Sequence, residues 1–320
     1  MNTVLDPAVV AAIDDLEVAA RYIVEGLRTG EHRSPFHGFS AEFSQYRPYR
    51  PGDDLKYLDW KVLARTDRLY TRQFRETTNL AAMLVVDASA SMAYPSAGAG
   101  RAGKTHGASK FAYARMIAAA LAYLLIEQGD AVGLMTTEND RLVYLPPRGG
   151  KTHLRRVLAE LSRLTPSGSW TPGTVIARAA ELLRRRGLLL MLSDFYDDEL
   201  ATLTELKRAA RRGHEAAVLQ VMSRPEIEFP YSGGTEFEDL ESPARRIVDA
   251  AAIGREYRAR VAAFLERWRT DARTAGLDYA LLTTDRPPDE ALRGYLIRRG
   301  AGRDVTPLVG TPTGQSGSAN

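Results

Sequence analysis

Asp87, Ser89 and Ser91 place three oxygen-bearing side chains at alternate positions in the run LVVDASASM, residues 84–92. The apolar residues before them, Leu80 to Val86, have the length and bounding turns of a buried strand. Asp87 therefore falls at the carboxyl end of a strand, where ligands gather in an open parallel sheet. In an extended turn alternate residues point the same way, so one carboxylate and two hydroxyls can converge on one point. Hard oxygen donors of this kind suit Mg²⁺ (or Mn²⁺), an ion that prefers an octahedral shell and keeps part of its water. A further hydroxyl and a further carboxylate would complete the shell. Thr174, in Pro172-Gly173-Thr174, opens a helical segment, and Asp194 follows the apolar run Leu188 to Leu192. Thr171 lies close enough to Thr174 to compete for the same role.

The elements that must position these residues follow from hydrophobic periodicity. Apolar runs at Leu80 to Val86, Ala131 to Thr136, Leu142 to Leu145, Leu188 to Leu192, Ala216 to Met222 and Leu277 to Thr283 predict strands. Helical patterns are expected near Lys110 to Gln128, Thr152 to Leu164, Thr174 to Arg186, Leu200 to Arg212 and Arg255 to Thr274. Alternation of this kind predicts an α/β fold with a mostly parallel sheet covered by helices on both faces. The short gap from Thr137 to Arg141 predicts one hairpin and hence one antiparallel edge strand. The late helix carries Tyr257, Val261, Phe264, Trp268 and Ala272 as a core-facing stripe.

Ahead of this body, Asp6 and Pro7 read as the cap and first residue of an amphipathic helix stopped by Gly30. Glu31 to Asn79 break into turns, aromatics and alternating charge, the texture of a small β-rich module, with Pro51 and Gly52 fitting a type II turn. The expected organisation is residues 1–79 as helix plus module, 80–299 as the α/β domain and 300–320 as a disordered Gly/Ser/Thr/Pro-rich tail.

The chain has 320 residues, enough for one full domain with an appendage, and its 44% hydrophobic and 26% charged content is that of a globular protein. No run reaches the ~18 apolar residues of a membrane helix, and MNTVLDPAVV lacks a signal-peptide pattern, which together predict a cytoplasmic protein without membrane insertion. Cysteine is absent, which removes thiolate metal sites and cysteine nucleophiles. A net charge of +3 with interleaved signs gives no support to nucleic-acid binding. Arg184, Arg185 and Arg186 read as the solvated last turn of a helix before Gly187.

Two enzyme readings compete with metal-dependent binding. Gly98 to Thr105, GAGRAGKT, matches the phosphate-loop pattern GxxxxGK[ST] and would make the chain a nucleotide-binding enzyme. A phosphate loop must leave a buried strand directly and feed a helix, yet eleven residues, Ala88 to Gly98 inclusive, separate Asp87 from the end of the first glycine. A phosphatase using Asp87 as nucleophile would need an acidic partner where Ser89 stands. His32, His37, His106, His153 and His214 show no paired spacing on a helix face. No catalytic residues are assigned, and the expected function is binding.

The set Asp87, Ser89, Ser91, Thr174 and Asp194 resembles the metal-ion-dependent adhesion site of von Willebrand A domains, DxSxS followed by a Thr loop and an Asp loop. That resemblance implies a von Willebrand A-like sheet in which the serines and threonine contact the metal directly or through water. The aspartates often act through water, and a partner's carboxylate fills the vacant position. A second resemblance spans nearly the whole chain. Arg50 to Trp60, RPGDDLKYLDW, preceded by Glu42 and Phe43 and followed by Ala64, Arg65 and Thr66, is similar to the signature of the uncharacterised DUF family number fifty-eight. The runs Gly129 to Leu134 and Gly213 to Glu215 resemble it too. Many members of that family are associated with MoxR-type AAA+ ATPases, which implies such an ATPase or its client as the protein partner. Many also carry two membrane helices ahead of the signature, and the lack of them here implies the soluble branch. Asp53, Asp54 and Asp59 within the signature read as structural ion-pair partners for Arg47, Arg50, Lys56, Arg65 and Arg72.

Overall fold

The strands at the centre of the fold are apolar on both sides because helices cover both sides. The computed structural model describes residues 15–29, 43–48, 69–74, 80–94, 108–138, 141–183, 186–196, 199–240 and 244–303. Six strands form the main sheet: β3 (Ala81–Val86), β4 (Ala131–Glu138), β5 (Arg141–Arg148), β6 (Gly187–Ser193), β7 (Glu215–Met222) and β10 (Asp278–Thr283). Their order is β10-β7-β6-β3-β4-β5. All neighbours are parallel except β5, which returns antiparallel beside β4 as the expected edge hairpin. From β3 the chain winds outward through β4 and β5, then crosses back to β6 on the other side of β3. The winding reverses between β3 and β6, which leaves a crevice at their carboxyl ends.

Alternate strand residues feed two cores. Ala82, Leu84, Val86, Leu188, Leu190 and Leu192 face one side, where they pack with α1 (Leu16–Thr29), α2 (Lys110–Glu127), α3 (Lys151–Arg163) and α8 (Pro288–Arg303). Met83, Val85, Leu189 and Met191 face the other, against α4 (Pro172–Leu182), α5 (Glu199–Arg211) and α7 (Ala250–Thr274). Helix α2 is apolar nearly all round because α1 lies over its outer side, burying Ala20, Ile23, Val24 and Leu27. Among the described residues no helix is long and apolar enough to cross a membrane.

Several local expectations need correction. Asp15, whose carboxylate accepts the Glu17 and Val18 amides at 2.8 and 3.3 Å, stands at the start of α1; the cap predicted at Asp6 lies outside the described residues. Helix α4 stops at Leu182, and Leu183 is already extended, so Arg186 is not in its last turn. Gly187, whose Cβ would clash with the Ala81 carbonyl, begins β6. Helix α8 runs to Arg303, so residues 300–303 are helical rather than tail. Between β7 and α7 lie three elements absent from the sequence reading: α6 (Arg224–Glu228), β8 (Gly234–Glu238) and β9 (Arg245–Asp249), the last two an antiparallel ribbon. In the N-terminal module, β1 (Phe43–Pro48) pairs antiparallel with β2 (Tyr70–Phe74). Phe36, Phe39, Tyr57, Trp60, Asp53, Asp54 and Asp59 lie outside the described residues.

Both resembling short runs have a structural account. Gly129 ends α2 with φ +87, and Asp130 accepts the Leu80 amide at 3.0 Å through its side chain. Gly213 likewise ends α5 with φ +87, and His214 Nδ1 accepts the Gly187 amide at 3.3 Å. Each glycine supplies a left-handed turn that returns the chain to the sheet.

Candidate metal centre

Asp87 follows β3 and Asp194 follows β6. Because these strands are parallel neighbours, the two residues reach the same edge at the point where the winding reverses. The pairing continues past β3, with the Asp87 amide donating to the Leu192 carbonyl at 2.9 Å. The Asp87 carboxylate then organises the turn. Its Oδ1 accepts the Ser89 amide at 2.8 Å, and its Oδ2 accepts the Ser193 hydroxyl at 2.6 Å. The Ser193 oxygen in turn accepts the Phe195 amide at 2.9 Å. With the turn fixed in this way, the hydroxyl oxygens of Ser89 and Ser91 lie 3.0 Å apart. Ser89 is buried and Ser91 half-buried, so the pair opens toward solvent.

The loop between α3 and α4 is tied to the same turn. The Ser167 amide donates to the Ala88 carbonyl and the Ala90 amide to the Gly168 carbonyl, each at 2.9 Å. Pro172 begins α4 just beyond, and Thr171 and Thr174 both lie exposed at its first turn. The structure brings Asp87, Ser89 and Ser91 together. It places Thr171 and Thr174 on the adjoining loop and helix start, with no hydrogen bond to those three.

Asp194 reaches the edge already engaged. Its Oδ1 accepts the Tyr196 amide at 3.1 Å, its Oδ2 accepts from Lys110 Nζ at 2.6 Å, and its backbone carbonyl accepts from Gln220 Nε2 at 2.9 Å. Phe195 adopts φ +60 between the two, a conformation uncommon for a side chain of its size, and its ring packs 4.8 Å from that of Trp268. Lys110 is 1% exposed and also donates to Glu226 Oε1 at 2.6 Å. Its ammonium lies 5.1 Å from the centre of the Tyr196 ring. Burial alone would push the Lys110 pKa down; the charges of Asp194 and Glu226 outweigh it and hold the ammonium above its ordinary value. For Asp87, burial and then the nearby Asp194 charge raise the carboxyl to about 7, against the lowering effect of the Ser193 and Ser89 hydrogen bonds.

The donor set of Asp87, Ser89 and Ser91 consists of hard oxygens and fits a small dication. Among the described residues no group of three or more His, Cys, Asp or Glu side chains is arranged to hold a metal. Any ion at this edge would therefore be held by hydroxyls as much as by carboxylates. The sequence reading missed Ser193, Lys110 and Glu226. A lysine in the first turn of an apolar helix, against the helix dipole, was the readable signal for Lys110. Ser223-Arg224-Pro225-Glu226 was readable as a capping box; Ser223 Oγ accepts the Glu226 amide, and Glu226 Oε2 accepts the Ser223 amide at 2.8 Å.

The GAGRAGKT run lies outside the described residues, but its flanks are informative. The Lys110 amide donates to the Tyr94 carbonyl at 2.9 Å, and Ser109 caps α2. The insertion thus leaves and returns at one point, and the helix starts beyond Thr105.

Residues 45–267 match the family described as "Protein of unknown function DUF58". The uncharacterised proteins Rv1480 of Mycobacterium tuberculosis (strain ATCC 25618 / H37Rv) and Mb1516 of Mycobacterium bovis are each 30% identical over 262 residues, covering 81% of this chain and 79% of theirs. Among solved structures, "conserved hypothetical protein BatB" from Bacteroides thetaiotaomicron is similar at 14% identity and a TM-score of 0.44, covering 69% of this chain and 99% of that one. A likeness of that size carries no argument about function. The family match, which spans β3 to β7 and the turn that carries Asp87, and the mycobacterial relatives establish that the chain belongs to the DUF58 family.

Proposed function

We propose that this protein is a metal-dependent binding module of the von Willebrand A type, which engages an acidic residue of a protein partner at the carboxyl edge of its sheet. The observation that carries the reading is the convergence of the Ser89 and Ser91 hydroxyls, 3.0 Å apart, above a buried carboxylate. Strand order 3-2-1-4-5-6, counting the main-sheet strands along the chain, with the third antiparallel, supports the von Willebrand A likeness. Ser89, Ser91 and one of Thr174 and Thr171 would hold the ion, with Asp87 fixing the turn from below and Asp194 acting from beside it. A bound Mg²⁺ or Mn²⁺ supplies an open coordination position that a partner's carboxylate can fill. The partner proposed is a MoxR-type AAA+ ATPase or its client, on the strength of the resemblance of Arg50 to Trp60. The binding reading is preferred to a nucleotide-binding enzyme because Tyr94 and Lys110 close the connection from strand to helix without the Gly98 to Thr105 run.

Calorimetric titration with Mn²⁺ and Mg²⁺ tests the centre. Asp87→Ala, which frees the turn, and Ser89→Ala, which removes a ligand, are expected to lose metal affinity by at least about tenfold, or ~1.4 kcal/mol, while keeping the circular dichroism of the parent. Parent-like affinity in both variants would sink the assignment. Co-purification with the cognate AAA+ ATPase, with Mg²⁺ and with EDTA, tests the partner.

A further inference from the structure

The proposed centre contains a cation of its own. Lys110 Nζ donates to Asp194 Oδ2 and to Glu226 Oε1, both at 2.6 Å, from a position 1% exposed to solvent. Three connections bring these groups together: Lys110 opens α2 beyond β3, Asp194 directly follows β6 and Glu226 lies in α6 just after β7, all at the carboxyl edge. Glu226 is itself fixed, because its Oε2 accepts both the amide and the hydroxyl of Ser223 at 2.8 Å. Asp194 thus divides its carboxylate between the Tyr196 amide and a buried ammonium.

Resting on the metal-centre reading above, we propose that Lys110 is a built-in competitor of the divalent ion for Asp194, and that Glu226 sets the strength of this competition by drawing Lys110 toward itself. With Asp87, Asp194 and Glu226 ionised and Lys110 protonated, the cluster carries two negative charges in excess, the complement of one dication. Lys110 lowers that excess from three, and it does so at Asp194, which reaches the same sheet edge as Asp87. The native centre therefore binds metal weakly and exchangeably, and Lys110 keeps Asp194 oriented while no ion is bound. Lys110 acts through Asp194, so it is a positioning residue and not a ligand.

The test compares Mn²⁺ affinity, by titration calorimetry and by the loss of the free-ion electron paramagnetic resonance signal, in the full chain and two variants. Lys110→Met removes the competing charge and is expected to bind Mn²⁺ at least about tenfold more tightly, with a larger rise in melting temperature at saturating Mn²⁺ than the parent shows. Glu226→Gln leaves Lys110 to Asp194 alone and is expected to bind Mn²⁺ several-fold more weakly. A merely structural role would shift both variants the same way, toward weaker binding. Mn²⁺ binding in Lys110→Met where the parent shows none supports the proposal. Parent binding with equal or weaker affinity in a folded Lys110→Met overturns the role of Lys110 and leaves the metal centre standing. If Lys110→Met does not fold, Glu226→Gln decides: weaker binding supports the proposal and unchanged or tighter binding overturns it. Absence of Mn²⁺ binding in the parent and in every folded variant overturns the metal centre and this role with it.

Discussion

Asp87 shows how much one buried carboxylate can impose on its surroundings. Fully enclosed and close to Asp194, it is raised from 3.8 to about 7. A folded-state value above the unfolded one means that the stability this group contributes is complete below about pH 4 and is lost as the pH rises toward 7. The EDTA-treated protein is therefore expected to melt at lower temperature at pH 8 than at pH 5, with a difference on the order of a few kcal/mol. Differential scanning calorimetry of the parent and of Asp87→Asn checks this, because the variant should flatten the dependence. A dication takes the place of the proton, so added Mg²⁺ should raise the melting temperature more at pH 8 than at pH 5. An Asp87→Asn profile as steep as the parent's would place the pH dependence elsewhere.

Among the elements, the β3–β6 pair matters most, since it sets the spacing of Asp87 and Asp194. It depends on a glycine. A Cβ at Gly187 would lie 2.5 Å from the Ala81 carbonyl oxygen, which belongs to backbone and cannot turn aside. Gly187→Ala is expected to cost about 1–3 kcal/mol in denaturant unfolding, the range for overpacking a tight site. The clash lies at the amino end of the pair, opposite Asp87 and Asp194, so the same variant should bind Mn²⁺ with nearly the parent's affinity once folded. Gly133 performs a related service at the edge, where its Cβ would come within 2.8 Å of the Leu145 carbonyl at the irregular β4–β5 pairing. The sheet was legible as strands because its apolar runs are long and bounded by turns. Helix α6 and the β8–β9 ribbon were not, because short half-exposed segments leave little periodicity to read.

For the molecule as a whole, α1 decides what can be cut away. Its buried residues Ala20, Ile23, Val24 and Leu27 share one core with Ile117, Leu121 and Leu125 of α2, although long stretches of chain separate the two helices. A variant beginning at Asn79 loses this cover and bares an apolar helix, so it is expected to aggregate or to melt well below the full chain. Size-exclusion chromatography and thermal unfolding check this. A monomeric, equally heat-stable variant that still binds Mn²⁺ and its partner would show that α2 needs no lid. The aromatic-rich signature segment would be removed by the same cut, so replacing Ile23 and Leu27 by Ser in the full chain isolates the contribution of α1.

By itself the sequence determined what depends on neighbours along the chain. Strand and helix alternation, the edge hairpin of the main sheet at Thr137 to Arg141 and the placing of Asp87, Ser89 and Ser91 at a strand end all follow from local periodicity and from turns a few residues long. The DUF58 signature was legible for the same reason, as contiguous residues in order. Tertiary structure decided what depends on distance. Lys110 meets Asp194 across 84 positions and Glu226 across 116, and no local pattern couples residues that far apart. The ion pair exists because β3, β6 and β7 run parallel and the connections that follow them start at one edge, where a buried ammonium must be paired with carboxylates.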